Sequence, residues 1–230
     1  MMQIWKHGPY TVSLLAEESS QDIVYAVMDG EDAEAVWRLL KAPRPALAAI
    51  SGVDWNRELS PWAAPRAFRG GEDFGGGGAA FLDALTGQII PGMETHFGLM
   101  PARRTIAGYS LAGLFALWSV FETDLFDQAL SVSGSLWFDG FSEFMDSHTQ
   151  HHGVKFVYLS VGDREKNARS PRMAAVEDCT RQAAELLRRR GISTAFELNR
   201  GGHFDDVPGR IARAIHAGTA YAEQASARTV

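Results

Sequence analysis

Short runs of consecutive apolar residues alternate along this chain with longer stretches in which apolar residues recur every three or four positions, most regularly from the middle onward. Such alternation marks repeated βα units feeding a parallel sheet, because a strand covered on both faces is apolar throughout while each covering helix needs only one apolar stripe. Residues 23–28 read as an early strand, Asp29-Gly30 as a turn, and residues 32–40 as a short helix ended by Pro43 and Pro45. Residues 46–50 form an apolar run that stops at Ser51-Gly52, as a buried parallel strand does. The segment 53–68 has no period, two tryptophans and two prolines, which predicts a long loop. Six glycines crowd residues 70–78, and helical spacing follows over 79–85 and on through Ile89, Ile90 and Met93. After Pro101, residues 104–107 predict a short strand. Leu114, Leu117, Trp118 and Phe121 then fall at i, i+3, i+4 and i+7, giving a helix with one apolar face. Further strands are predicted at 128–133, 155–161 and 194–198, and helices at 172–190, ended by Gly191, and at 207–217. No repeat, low-complexity tail or long linker interrupts this order. Residues 1–230 therefore read as one α/β domain with a mostly parallel central sheet and helices on both faces.

Composition narrows the function. With 46% hydrophobic and 22% charged residues the chain is globular in type. Twenty-two basic against twenty-eight acidic side chains give a net charge of −6, so no overall positive field exists to hold nucleic acid or an anionic lipid surface, and neither is an expected partner. One cysteine, Cys179, rules out an intramolecular disulfide and a thiolate zinc cluster. No apolar run approaches the roughly eighteen residues of a membrane span. Lys6, His7 and Pro9 interrupt the start where a signal peptide would have an unbroken apolar core, so a cytoplasmic location is expected.

Against that background Gly108-Tyr109-Ser110-Leu111-Ala112-Gly113 stands out, because it lies where a strand passes directly into a helix. At a nucleophile elbow this turn is so sharp that small residues must flank the serine, whose hydroxyl is thereby exposed above the sheet. The string alone recurs by chance as an ordinary βα turn; its context between an apolar strand and an amphipathic helix gives it weight. A serine hydroxyl needs a base to take its proton. Of seven histidines, only His203 sits on a loop after the last strand, beyond Asn199-Arg200-Gly201-Gly202, where this order of elements puts the base. The acid that orients the imidazole belongs just after the strand 155–161, where Gly162-Asp163-Arg164-Glu165 offers Glu165 and Asp163; Glu165, three residues past Gly162, is preferred, and a dyad without an acid stays open. The amide of Leu111, at the helix start, is one expected oxyanion donor; the second falls on the loop after 46–50, at Val53, or at Asp54 if the strand runs longer. Trp55 and Trp137, on loops after strands, are candidate walls of an aryl or acyl pocket, with core packing the competing use.

Two other motifs carry less. His148, His151 and His152 near Asp146 have a spacing that binds metal on a helix, but they fall between elements and read as solvated loop. Gly75 to Ala80 satisfies G-x-G-x-x-A, yet Pro65, Arg66, Arg69, Glu72 and Asp73 fill the place of the strand that a dinucleotide site requires. Neither a metal nor an organic cofactor is expected.

Four blocks together resemble the esterase D and enterochelin esterase branch of the α/β-hydrolases: Arg57-Glu58-Leu59-Ser60-Pro61-Trp62, the Gly108 to Gly113 elbow, Ser131-Val132-Ser133-Gly134-Ser135-Leu136-Trp137, and Gly202-His203-Phe204. The resemblance spans most of the chain after Ala46. It implies an α/β-hydrolase fold and ester hydrolysis, with Ser110 as nucleophile, His203 as base, an acid in the Gly162 to Glu165 turn, and Arg57 beside the substrate. In some relatives the ester is a siderophore trilactone, in others S-formylglutathione or a simple ester, and in one group the acyl is transferred to an acceptor. A small-molecule ester is thus the expected partner, with acyl transfer and a catalytically idle, ligand-binding fold as the competing readings. The elbow departs from the resemblance at Ala112, where relatives often carry glycine; the first loop is short, so the shape of the pocket is not carried over, and a chain small for the family is expected to leave little room for an extra lid.

Overall fold

The computed structural model describes residues 2–18 and 20–227. The chain opens with a hairpin of β1 (Gln3–His7) and β2 (Tyr10–Leu15), then β3 (Asp22–Val27), α1 (Gly30–Leu39) and β4 (Ala46–Ser51). A one-turn helix α2 (Trp55–Glu58) follows, with the two-residue strands β5 (Ala63–Ala64) and β6 (Phe74–Gly75) pairing across the loop between them. The segment 53–68 is therefore less irregular than its pattern predicts, because Asp54 caps a helical turn there by accepting from the Arg57 amide. Next come α3 (Gly78–Ala84) and α4 (Ile90–Phe97), joined through a widened turn at Leu85–Ile89. Pro91 just beyond explains the widening, since its ring and missing N–H disrupt the i to i−4 ladder.

The remainder alternates regularly: β7 (Arg103–Tyr109), α5 (Leu111–Glu122), β8 (Gln128–Val132), α6 (Phe141–Ser147), β9 (Phe156–Gly162), α7 (Pro171–Ala174), α8 (Val176–Arg189), β10 (Ser193–Asn199) and α9 (Val207–Ala227). Eight strands form one sheet in the order β1-β2-β4-β3-β7-β8-β9-β10. The last six of that order run parallel to one another, while β2 lies antiparallel to both β1 and β4. The hairpin was not visible in the hydrophobic pattern: β1 is an edge strand with mostly exposed positions, although Val12, Leu14 and Leu15 of β2 are buried.

Side chains of each inner strand alternate between two cores. Ile23, Tyr25 and Val27 of β3 join the larger one, with α3, α4, α5 and α8, and Val24 and Ala26 join the smaller one under α1 and α9. Burial on both faces is why these strands read as continuous apolar runs. Helix α5 exceeds its predicted single face: every residue from Leu111 to Phe121 is buried, because α3, α4 and the aromatic cluster around Phe144 close over the side turned from the sheet. After β4 the chain crosses to the other side of β3 to enter β7, so the strand order reverses between β3 and β7. A crevice opens at the carboxyl ends of strands where such a reversal occurs.

Candidate active site

At that reversal β7 passes into α5 through Ser110, whose φ of 60° and ψ of −122° lie in a region that non-glycine residues rarely adopt. The turn is held by its own backbone. The Ser110 carbonyl accepts from the amides of Gly113 (3.0 Å), Leu114 (3.1 Å) and Ser135 (3.0 Å), and its amide donates to Val132 O (3.1 Å). A Cβ on Gly108 would stand 2.1 Å from the Ala112 carbonyl oxygen, so the strand and the first helical turn approach too closely for any side chain there. Gly113 provides the other close approach, where a Cβ would lie 2.9 Å from Gly134 Cα. The methyl of Ala112 is buried and tolerated, which accounts for the departure at that position.

His203 returns from the loop after β10, 93 positions along the chain, and brings Nε2 to 3.0 Å from Ser110 Oγ. Its Nδ1 lies 2.7 Å from Glu165 Oε2. A carboxylate can only accept, so this contact places the proton on Nδ1 and leaves Nε2 free to accept from the serine hydroxyl. The imidazole is steadied from its backbone as well, since the Tyr109 hydroxyl donates to the His203 carbonyl at 2.5 Å.

Glu165 is buried and surrounded by donors. Beyond the imidazole at Oε2, its Oε1 accepts from Ser133 Oγ (2.8 Å), the Gly162 amide (2.7 Å) and Arg210 Nη1 (2.9 Å). Burial pushes the carboxyl upward, but the bonds from His203, Gly162 and Ser133 outweigh it and hold Glu165 below the ordinary carboxylate range. Asp163 is placed differently. Its carboxylate accepts from the Gly201 amide at 2.8 Å, while its own amide donates to Asn199 O, so it fastens the turn after β9 to the loop that carries His203. The structure thus brings Glu165, and not Asp163, to the imidazole.

Residues 29–206 match the family described as Putative esterase. The chain belongs to that family. A curated relative, the uncharacterized protein YbbA of Bacillus subtilis strain 168, is 26% identical over 163 residues, covering 70% of this chain and 65% of YbbA, so the chain spans just under two thirds of that relative's length. Among solved structures, the siderophore hydrolase EstA from Aspergillus nidulans aligns with a TM-score of 0.73 at 20% identity, over 94% of this chain and 93% of EstA. An IroE-like serine hydrolase from Shewanella oneidensis aligns with a TM-score of 0.75 at 17% identity, over 94% of this chain and 79% of its own. At these identities the likeness is one of fold, the α/β-hydrolase fold.

In this esterase-family member a cavity of about 460 Å³ opens beside Ser110 and His203, walled by Trp55, Phe68, Phe74, Trp137, Met173 and Phe204. Leu111 lines it too, and its amide, at the first position of α5, has no acceptor within the helix. Val53 lies instead on a neighbouring cavity of about 290 Å³, which shares Trp55, Tyr109 and Val207 with the first. The Asp54 amide is taken by Glu58 Oε2 at 2.9 Å, leaving Val53 as the candidate for the second oxyanion donor. Trp55 and Trp137 both face the larger cavity, but Arg57 does not line it. Its guanidinium pairs with Asp54 and Glu58, each at 3.2 Å, and its stem packs beneath Gly75, because a one-turn helix sets these neighbours side by side.

The weaker motifs find other uses. His148 stacks on Phe144 and contacts its carbonyl at the end of α6, and among the described residues no three His, Cys, Asp or Glu side chains converge as a metal site. The Gly77 and Gly78 amides donate to Arg57 O and Ser60 O, so they are not available to phosphate. No helix among the described residues is long and apolar enough to cross a membrane. Sequence reasoning missed Ser133 and Arg210. The first follows no spacing rule; the second had a signal, a lone arginine beside Ile211 and Ala214 on the buried stripe of α9.

Proposed function

We propose that this chain hydrolyses carboxylic esters through an acyl-enzyme on Ser110, and the observation that carries the reading is the unbroken line of contacts from Ser110 Oγ through His203 to Glu165, at 3.0 and 2.7 Å. Ser110 Oγ attacks the ester carbonyl as His203 Nε2 takes its proton; Glu165 stabilises the imidazolium that forms. The Leu111 and Val53 amides receive the developing oxyanion. Collapse expels the alcohol with the proton held by His203, and water, deprotonated by the same imidazole, releases the acid from Ser110. No metal and no organic cofactor enters these steps.

Names of the structural neighbours point to siderophore esters, as in EstA, and those substrates belong to that protein. For this chain the cavity favours a small uncharged acyl or aryl group: its wall is aromatic, it presents no lysine or arginine, and its one charged residue is Glu72. The test is turnover of a short-chain p-nitrophenyl ester, with a carboxylate-bearing acyl ester of equal length as control. Ser110→Ala and His203→Ala are each expected to abolish turnover with the fold retained by circular dichroism, and the carboxylate ester to be the poorer substrate. Full activity in either variant overturns the mechanism.

A further inference from the structure

Arg210 is fully buried, yet it carries a permanent charge and does not itself line the cavity. Its contacts lie on both sides of the acid and base. Nη1 reaches Glu165 Oε1 at 2.9 Å, Ser133 Oγ at 3.0 Å and the Tyr109 hydroxyl at 3.2 Å; Nη2 donates to the carbonyls of Arg200 (3.0 Å) and Gly202 (2.8 Å), on the loop that ends in His203. One planar fork therefore ties the acid, the loop carrying the base and the end of the nucleophile strand to a single helix. A buried guanidinium loses its hydration, and this geometry replaces it with a carboxylate and two carbonyls.

We propose that Arg210 is a positioning residue of the catalytic centre, which holds Glu165 ionised and fixes the His203 loop so that the imidazole is aimed at Ser110 before substrate arrives. The proposal rests on the Ser110, His203, Glu165 reading. Four donors converge on Glu165 and favour its anionic form, and among the described residues Arg210 is the fixed positive charge in contact with it. The other charged or titratable groups nearby are satisfied elsewhere: Asp163 on the Gly201 amide, Arg164 on Asp205, Lys166 on Glu177 of α8, and Tyr109 on the His203 carbonyl. Glu72 borders the cavity from the other side. Because Arg210 opposes a second positive charge, removing it lets the imidazole and carboxylate together take up a proton at higher pH, whichever of the two carries it.

The test compares Arg210→Met and Arg210→Lys with wild type by pH profiles of kcat and KM for a p-nitrophenyl ester and by the rate of Ser110 labelling with a fluorophosphonate. In folded Arg210→Met, kcat and labelling are expected to fall at least about tenfold with KM little changed. The acid limb of the profile should move up by about one pH unit or more. Arg210→Lys keeps the charge but not the fork, so it should lose kcat while retaining the wild-type acid limb. Wild-type kcat in either variant overturns the proposal, as does an equal fall in both with an unmoved limb in Arg210→Met, which would make the residue scaffold alone. If Arg210→Met does not fold, Arg210→Lys decides: reduced kcat on an unshifted limb supports the proposal, and a wild-type rate or a shifted limb refutes it. Failure of the underlying reading looks different, since wild type would then resist labelling or Ser110→Ala would retain turnover.

Discussion

Both oxygens of Glu165 accept, three donors meeting Oε1 and the imidazole meeting Oε2, and that separates it from Asp163 two residues away. Glu165→Gln removes the negative charge and sets an amide where a carboxylate accepted from the imidazole and the guanidinium, so kcat is expected to fall roughly 10²–10⁴-fold. Asp163→Asn keeps an oxygen for the Gly201 amide and should leave kcat near wild type; steady-state kinetics on the two variants distinguish the acid. Stability follows the same carboxylate. Breaking a buried pair with Arg210 costs about 3–5 kcal/mol at neutral pH. Because the folded-state carboxyl is held below its ordinary range, this stabilisation is present above that range and is lost as pH falls through the lowered value. Denaturant midpoints of wild type and Glu165→Gln should therefore converge in acid; a gap that stays constant from pH 7 to acid would exclude the linkage.

Among elements, the junction of β7 with α5 has the least tolerance. The positive φ of Ser110 survives because three amides hold its carbonyl and the strand cannot retreat from the helix start. Gly108→Ala would drive its methyl into the Ala112 carbonyl, with an expected cost of about 1–3 kcal/mol or more and loss of Ser110 labelling, measured by thermal unfolding and fluorophosphonate reaction. Wild-type labelling in that variant would show that the turn can relax. This junction was legible in sequence because small residues, a preceding apolar run and a following helical stripe are all local signals. The β1–β2 hairpin was not, since an edge strand that faces solvent lacks the pattern that burial imposes.

Over the whole molecule, reversal of strand order between β3 and β7 puts the crevice beside Ser110, and the loops after β4 and β5 help to wall it. Trp55 stands between cavities of about 460 and 290 Å³. Trp55→Ala should join them and shift preference among p-nitrophenyl esters toward longer acyl chains, read as the ratio of kcat/KM for long and short esters; an unchanged ratio would show that acyl chains do not reach that wall. The α/β class, the sharp turn at Ser110, the position of His203 on the loop after β10 and the turn holding two carboxylates were all determined by the sequence, because strand and helix periods and turn residues act over a few positions. Only the tertiary structure decided that Glu165 faces the imidazole, that Arg210 lies behind it, that Arg57 turns toward Asp54 and Glu58, and how the cavities meet at Trp55. The first two depend on contacts between side chains 38 and 45 positions apart, and the cavities on loops brought together by the sheet, so packing selects among partners that the local pattern leaves equivalent.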